Sequence, residues 1–159
     1  DKFVVDASVA LKWQFKDEQN TEAAVRLLSD FIGGEVELLS PTLFAYEITN
    51  AVHIAVSRER IGEKDGLEAI KDLLALGVKL ISFDDGLVEK AFKLSRNHNR
   101  SVYDCSYLAL ADEESCSLYT ADQRLFNALK NNVGFIKWVG DYKKGSSPCR
   151  VHEIMPIKL

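Results

Sequence analysis

Four acidic residues stand in apolar surroundings: Asp6 closes the run FVVD, Glu47 lies within LFAYEITNAV, Asp104 within VYDCSYLALA, and Asp122 follows LYTA. On a helix the neighbours of Glu47 three and four residues away include Leu43, Phe44, Asn50 and Ala51, so its side chain is expected to face largely inward. A buried carboxylate is costly unless it is paired or bound to a cation. No lysine or arginine stands out as a sequence-near partner of Asp6, Glu47 or Asp104. Four carboxylates sharing one cleft repel one another and stay ionised together only around a cation. All-oxygen ligands suit Mg²⁺ or Mn²⁺, which keep several waters and accept phosphate oxygens. Such an ion can polarise a phosphodiester, activate water and stabilise the leaving oxygen. The chemistry these residue types point to is metal-assisted hydrolysis of a nucleic acid backbone.

The elements that must position them follow from periodicity and punctuation. Phe3–Asp6 reads as a short buried strand, and a helix starts near Ser8. A second helix runs from Thr21 to about Phe31, ended by Gly33-Gly34, and Val36–Leu39 is a second strand. Pro41, a residue favoured in a helix's first turn, is expected to open a long helix to about Arg58. Then come a helix Glu63–Leu76, a strand Val78–Ser82, helices Asp84–Asn97 and Val102–Glu114, a strand Ser117–Thr120, a helix Gln123–Asn131 and a strand Phe135–Val139. Strands alternating with helices predict an α/β domain, a three-layer α/β/α sandwich around a mostly parallel five-stranded sheet. In such a sheet strands end, and crossover helices begin, at one edge. Asp6 and Asp122 follow strands while Glu47 and Asp104 lie early in helices, so all four belong near that edge. If the strand order reverses between the first and fourth strands, Asp6 and Asp122 flank the switch point, where such sheets bind ligands.

Each acid also has a plainer reading. Asp6 could cap the helix beginning near Ser8. Ser101 with Asp104 fits the S-x-x-D capping pattern, and Asp122, or Thr120 with Gln123, could cap the helix through Leu129. Glu47 caps nothing. The aromatic residues near the acids, Trp13, Phe15, Phe44, Tyr46, Tyr103 and Tyr107, suit core packing or a dimer interface, with base stacking as the alternative for one or two.

Composition bounds the rest. With 159 residues, 47% apolar and 28% charged, the chain holds one globular domain. The domain is expected over residues 1–142, with 143–159 an extension or tag remnant, because periodicity is lost from Gly145. No apolar run approaches the roughly 18 residues of a membrane span, and Phe3–Asp6 is too short to read as a secretory leader. Cys105, Cys116 and Cys149 are odd in number and widely spaced, and together with His53, His98 and His152 they form no zinc pattern. A cytoplasmic protein is expected. The net charge of −4 is unevenly spread. Residues 1–122 hold 13 Lys/Arg against 22 Asp/Glu, whereas residues 123–159 hold 7 against 2. Arg124, Lys130, Lys137, Lys143 and Lys144 are either a basic edge that positions phosphates or a solvated face.

The segments VVDASVALKW, PTLFAYEITNAV, SVYDCSYLALADE and LYTADQRL, in this order and spacing, resemble the PIN-domain ribonucleases, most closely the VapC-type toxins of toxin–antitoxin pairs. The resemblance runs from about Phe3 to Tyr142. It implies an endoribonuclease dependent on Mg²⁺, with Mn²⁺ as substitute, that leaves a 5′-phosphate and a 3′-hydroxyl. The family's four acids fall on Asp6, Glu47, Asp104 and Asp122, with Asp6 and Asp104 the firmest metal ligands. Ser8, Asn50 and Thr120 match supporting polar positions, although capping or a buried hydrogen bond would explain them as well. An RNA substrate, a homodimer and a small antitoxin partner are likewise implied. The competing reading is a non-catalytic interaction module of the same fold. A receiver-type phosphoacceptor fits poorly, because Asp6 has no adjacent acid and no lysine sits in the expected late position.

Overall fold

The computed structural model describes residues 1–15, 21–143 and 145. Five strands carry the sheet: β1 (Lys2–Val5), β2 (Glu37–Pro41), β3 (Lys79–Ile81), β4 (Ser117–Thr120) and β5 (Ile136–Trp138). The helices are α1 (Ala7–Gln14), α2 (Thr21–Ile32), α3 (Leu43–Ser57), α4 (Glu63–Leu74), α5 (Asp85–His98), α6 (Val102–Glu113) and α7 (Gln123–Leu129), with a closing 3-10 turn at Val139–Asp141. Every strand pair is parallel, so the expected mostly parallel sheet is parallel throughout. Its order is β3-β2-β1-β4-β5. The chain works outward from β1 to β3, then returns to lay β4 on the other side of β1. The order reverses between β1 and β4, so Asp6 and Asp122 flank the switch point.

Helices cover both faces of the sheet. Successive strand residues point to opposite faces, and Val4, Val5, Leu38 and Leu39 are all fully buried. Both faces are therefore dry, as a parallel sheet demands. α6 lies across β1, β2 and β4 and packs along α5. Its seven consecutive buried residues, Cys105–Ala111, explain why no clean amphipathic stripe is legible there. α1 contacts β4 and is tied to α2 by the Trp13 indole N–H, which donates to the Ala24 carbonyl at 2.8 Å.

One boundary differs from expectation. Pro41 ends β2, paired with Ile81, instead of opening α3. Pro41 has no N–H to give the ladder, and the Thr42 N–H after it makes the bond to the Ile81 carbonyl at 3.1 Å, so the helix begins two residues later at Leu43. The expected extension, residues 143–159, lies outside the described residues except for 143 and 145. Tyr142 is buried and donates its hydroxyl to Asp30 at 2.6 Å. No helix among the described residues is long and apolar enough to cross a membrane.

Candidate active site

The four acids reach one cleft at the C-terminal edge of the sheet. Asp6 follows β1, Asp122 follows β4, Glu47 projects from α3 and Asp104 from the first turn of α6. Together with Ala7, Ser8, Tyr107 and Leu125 they line a cleft of about 70 Å³.

Asp6 is the anchor. It is 6% exposed, and both of its oxygens are engaged. The Ser8 hydroxyl and the Val9 N–H donate to Oδ1, and the Thr120 hydroxyl donates to Oδ2 at 2.5 Å. The two hydroxyls are themselves oriented by the chain leaving β4: Ala121 N–H donates to Ser8 Oγ at 2.9 Å and Asp122 N–H to Thr120 Oγ1 at 3.0 Å. Ser8 and Thr120 therefore hold the strand-end acids in register, and Thr120 is fully buried. Burial pushes the Asp6 carboxyl up to about 6, with the charge of Asp122 adding to the rise and the three donors opposing it.

Glu47 is half-buried. Desolvation raises its carboxyl above the ordinary range, the Tyr107 hydroxyl, donating at 2.5 Å, opposes this, and the charges of Asp104 and Asp122 add to the rise. The acids thus sense one another across the cleft. Burial likewise raises the Tyr107 phenol, which stays protonated and donating, with Glu47 and Asp6 as charged neighbours.

The capping readings and the cleft reading are both realised. Asp6 caps α1, accepting from Val9, and Asp122 caps α7 through Arg124 N–H at 2.9 Å and Leu125 N–H at 3.1 Å. Ser101 caps α6 by accepting from Asp104 N–H at 3.1 Å. The Asp104 carboxylate does not close that box. It accepts instead from Arg100 Nη2 at 3.2 Å. Arg100 corrects the expectation that no basic residue near in sequence partners these acids. It lies four positions before Asp104, in the link that leads from α5 into α6. Tyr107, three positions after Asp104 on α6, is more than the packing or stacking aromatic its sequence context suggests, because its hydroxyl is a partner of Glu47.

Asn50 lies one turn along α3 from Glu47 and lines an adjoining open groove of about 470 Å³ with Leu11, Tyr46, Ile54 and Tyr103, rather than the acid cleft. Of the six aromatic residues singled out, Trp13, Phe15, Phe44 and Tyr107 are buried, while Tyr46 is 76% and Tyr103 is 64% exposed. Arg124 and Lys137 are exposed, Arg124 two residues beyond Asp122.

The donor chemistry fits Mg²⁺ or Mn²⁺, since four carboxylates and two hydroxyls present only oxygen. As placed, no group of three His, Cys, Asp or Glu side chains among the described residues converges tightly enough to enclose a metal. The reason is visible in the hydrogen bonds. Asp104 is turned to Arg100, Glu47 to Tyr107 and Asp122 to its own helix. Each of these carboxylates is thus engaged by a partner within the protein.

Thr120→Val tests the anchoring. It deletes the donor to Asp6 and the acceptor for Asp122 N–H at a fully buried position, and such a loss costs about 1–3 kcal/mol. The expected result is a lowered urea midpoint with unchanged slope, and a midpoint equal to wild type would show that Thr120 does not hold Asp6.

A family model described as "PIN domain" matches residues 3–131. The chain is 35% identical over 122 residues to the VapC ribonuclease Mb0985 of Mycobacterium bovis, an alignment covering 77% of this chain and 87% of that protein. Among solved structures, PAE2754 from Pyrobaculum aerophilum shares the fold with a TM-score of 0.64 at 22% identity, over 87% of this chain and 83% of that one. VapBC2 from Rickettsia felis, solved bound to a DNA fragment from its promoter, does so with a TM-score of 0.58 at 12% identity, over 87% and 98%.

Proposed function

Because the chain belongs to the PIN-domain family, and within it to the VapC-type ribonucleases, we propose that it is a Mg²⁺- or Mn²⁺-dependent endoribonuclease whose centre is Asp6, Glu47, Asp104 and Asp122. The observation that carries this reading is the arrival of four acids from β1, α3, α6 and the end of β4 in one small cleft, electrostatically coupled and partly dry. A repulsive cluster of this kind costs stability, and a divalent ion offsets that cost.

Asp6 and Asp104 would hold the ion, with Glu47 and Asp122 completing the set directly or through water. When bound, the ion supplies charge stabilisation at the scissile phosphate and a more acidic water. Ser8 and Thr120 fix the Asp6 carboxylate, so this one ligand is preorganised by hydrogen bonds made within the protein, whereas Glu47 and Asp104 would exchange Tyr107 and Arg100 for the ion. In the reaction a water oxygen bonds to phosphorus as the bond to the 3′ oxygen breaks, leaving a 5′-phosphate and a 3′-hydroxyl. The exposed Arg124 and Lys137 would steer the RNA backbone.

The biological reading is the toxin of a toxin–antitoxin pair acting in the cytoplasm. The name of the 35%-identical relative, a VapC ribonuclease, supports it, and the free thiols Cys105 and Cys116 suit a reducing compartment. A homodimer is also proposed, supported by the exposed apolar residues Val88 and Phe92 on α5, with a small antitoxin as the second partner.

Calorimetric titration with Mn²⁺ tests the centre without a guess about the RNA. Wild type is expected to bind, and Asp6→Asn to lose binding by at least about tenfold, the effect of about 1.4 kcal/mol. Equal binding by the two proteins would remove Asp6 from the metal site.

A further inference from the structure

One cation already stands beside the acids. Arg100 lies in the short link between α5 and α6, and the chain fixes its backbone on both sides. Its N–H donates to the Ser95 carbonyl at 3.3 Å, and its own carbonyl accepts from Ser95 Oγ. Asn99 before it takes the left-handed conformation, with φ 50, that ends α5. The Cα of Arg100 is therefore held, and the guanidinium is the part left to move.

That guanidinium is under-used where it stands. It has five N–H donors. Among the described residues it gives one hydrogen bond, from Nη2 to a single oxygen of Asp104, and its Nε is buried without an acceptor. A buried donor left unpaired is unfavourable. The guanidinium fork is matched to two oxygens of one phosphate or carboxylate, and Asp104 offers it only Oδ2. The partner it holds is also one of the acids assigned to the metal. A divalent ion that takes Asp104 frees the whole fork next to a carboxylate that lines the cleft.

We propose that Arg100 is a substrate-phosphate-binding residue that, until metal and RNA arrive, holds Asp104 as the site's own counter-cation. This inference rests on the nuclease reading, and it has two consequences of opposite sign. Without the charge, nothing competes with a divalent ion for Asp104 or repels it, so metal binds more tightly. Without the fork, the phosphate loses a bidentate partner, so RNA binds more weakly. An ion pair that merely braces the α5–α6 link would not move the two affinities in opposite directions.

The test is a calorimetric Mn²⁺ titration of wild type, Arg100→Gln and Arg100→Lys, beside fluorescence anisotropy with a labelled, randomised single-stranded RNA in Ca²⁺. Arg100→Gln is expected to bind Mn²⁺ about fivefold more tightly or better and the RNA about tenfold more weakly. Arg100→Lys keeps the charge without the fork, so its Mn²⁺ affinity stays near wild type while its RNA affinity falls several-fold, about threefold. Should Arg100→Gln fail to fold, the lysine variant alone decides by that split. Unchanged RNA affinity, or Mn²⁺ affinity unchanged or weakened in Arg100→Gln, overturns the assignment of Arg100, and Mn²⁺ binding by wild type in the same series leaves the nuclease reading standing. A wild type that binds no Mn²⁺ overturns both.

Discussion

Asp104→Asn is expected to lower RNA cleavage by about 10³-fold or more, a loss of about 4 kcal/mol of transition-state stabilisation, while the protein stays folded. The substitution keeps shape and an acceptor oxygen, so Arg100 Nη2 retains a partner. The pair it weakens is a partly exposed one at i,i+4 spacing, and such pairs contribute only about 0.3–0.5 kcal/mol. Removing one negative charge also relieves Glu47, whose carboxyl is raised in part by Asp104. Stability without metal should therefore change by less than about 0.5 kcal/mol in either direction. Asp122→Asn sharpens the comparison, because asparagine caps a helix as well as aspartate and α7 would keep its cap through Arg124 and Leu125 N–H. Any loss of cleavage in that variant then reports the charge and not the helix. Multiple-turnover cleavage of an RNA pool, with thermal melts of each variant, reads both quantities. Wild-type activity in Asp104→Asn would sink the catalytic assignment and raise the interaction-module reading in its place.

How much of this site is legible in the chain depends on the kind of contact. Asp6 and Asp122 are marked by their position just after β-branched or apolar runs, and the parallel topology carries them to one edge. Glu47 is marked by apolar neighbours on a helix, though Tyr46 beside it is largely exposed. The helix and strand boundaries follow from glycine and capping residues, and the displaced start of α3 arises because proline suits a strand end as well as a helix start. The order of the strands is a different matter. Nothing local says that β4 pairs with β1; that choice is made by burial over the whole sheet. Partnerships across the fold were equally hidden, as with Tyr107 and Glu47, sixty residues apart. Arg100 and Asp104, by contrast, are only four residues apart, but Arg100 lies two residues before the apolar run that marks Asp104, and outside the helix that carries it.

Asp6→Asn is expected to stabilise the metal-free protein at pH 7.5 by up to about 3 kcal/mol, and to do almost nothing at pH 3.5. The sign follows from the direction in which folding moves the carboxyl. Burial lifts Asp6 to about 6 in the folded chain, against an ordinary 3.8. Below 3.8 the group is protonated whether the chain is folded or not, and it contributes no penalty. Between 3.8 and 6 the unfolded chain releases the proton while the folded chain retains it, so stability falls as pH rises. Above 6 the full cost is present, as a buried carboxylate facing Asp122. The difference between the two values corresponds to about 3 kcal/mol at most. Other groups in the protein titrate as well, and Glu89, lowered by Lys93, contributes in the opposite sense; subtracting variant from wild type at each pH cancels them. Urea unfolding of both proteins across pH 3.5–7.5 measures the difference directly. A variant destabilised equally at both ends of that range would mean that Asp6 serves as a helix cap and that its burial carries no electrostatic cost. Added Mn²⁺ supplies the converse. At a free concentration of 100 times its dissociation constant an ion adds about 2.7 kcal/mol to the protein that binds it, which would offset most of the cost in wild type, while a variant that binds tenfold more weakly gains about 1.4 kcal/mol at most. A carboxylate whose charge destabilises the empty protein and stabilises the loaded one is selected for binding a cation, and the crossing of those two stability curves is how that selection becomes measurable.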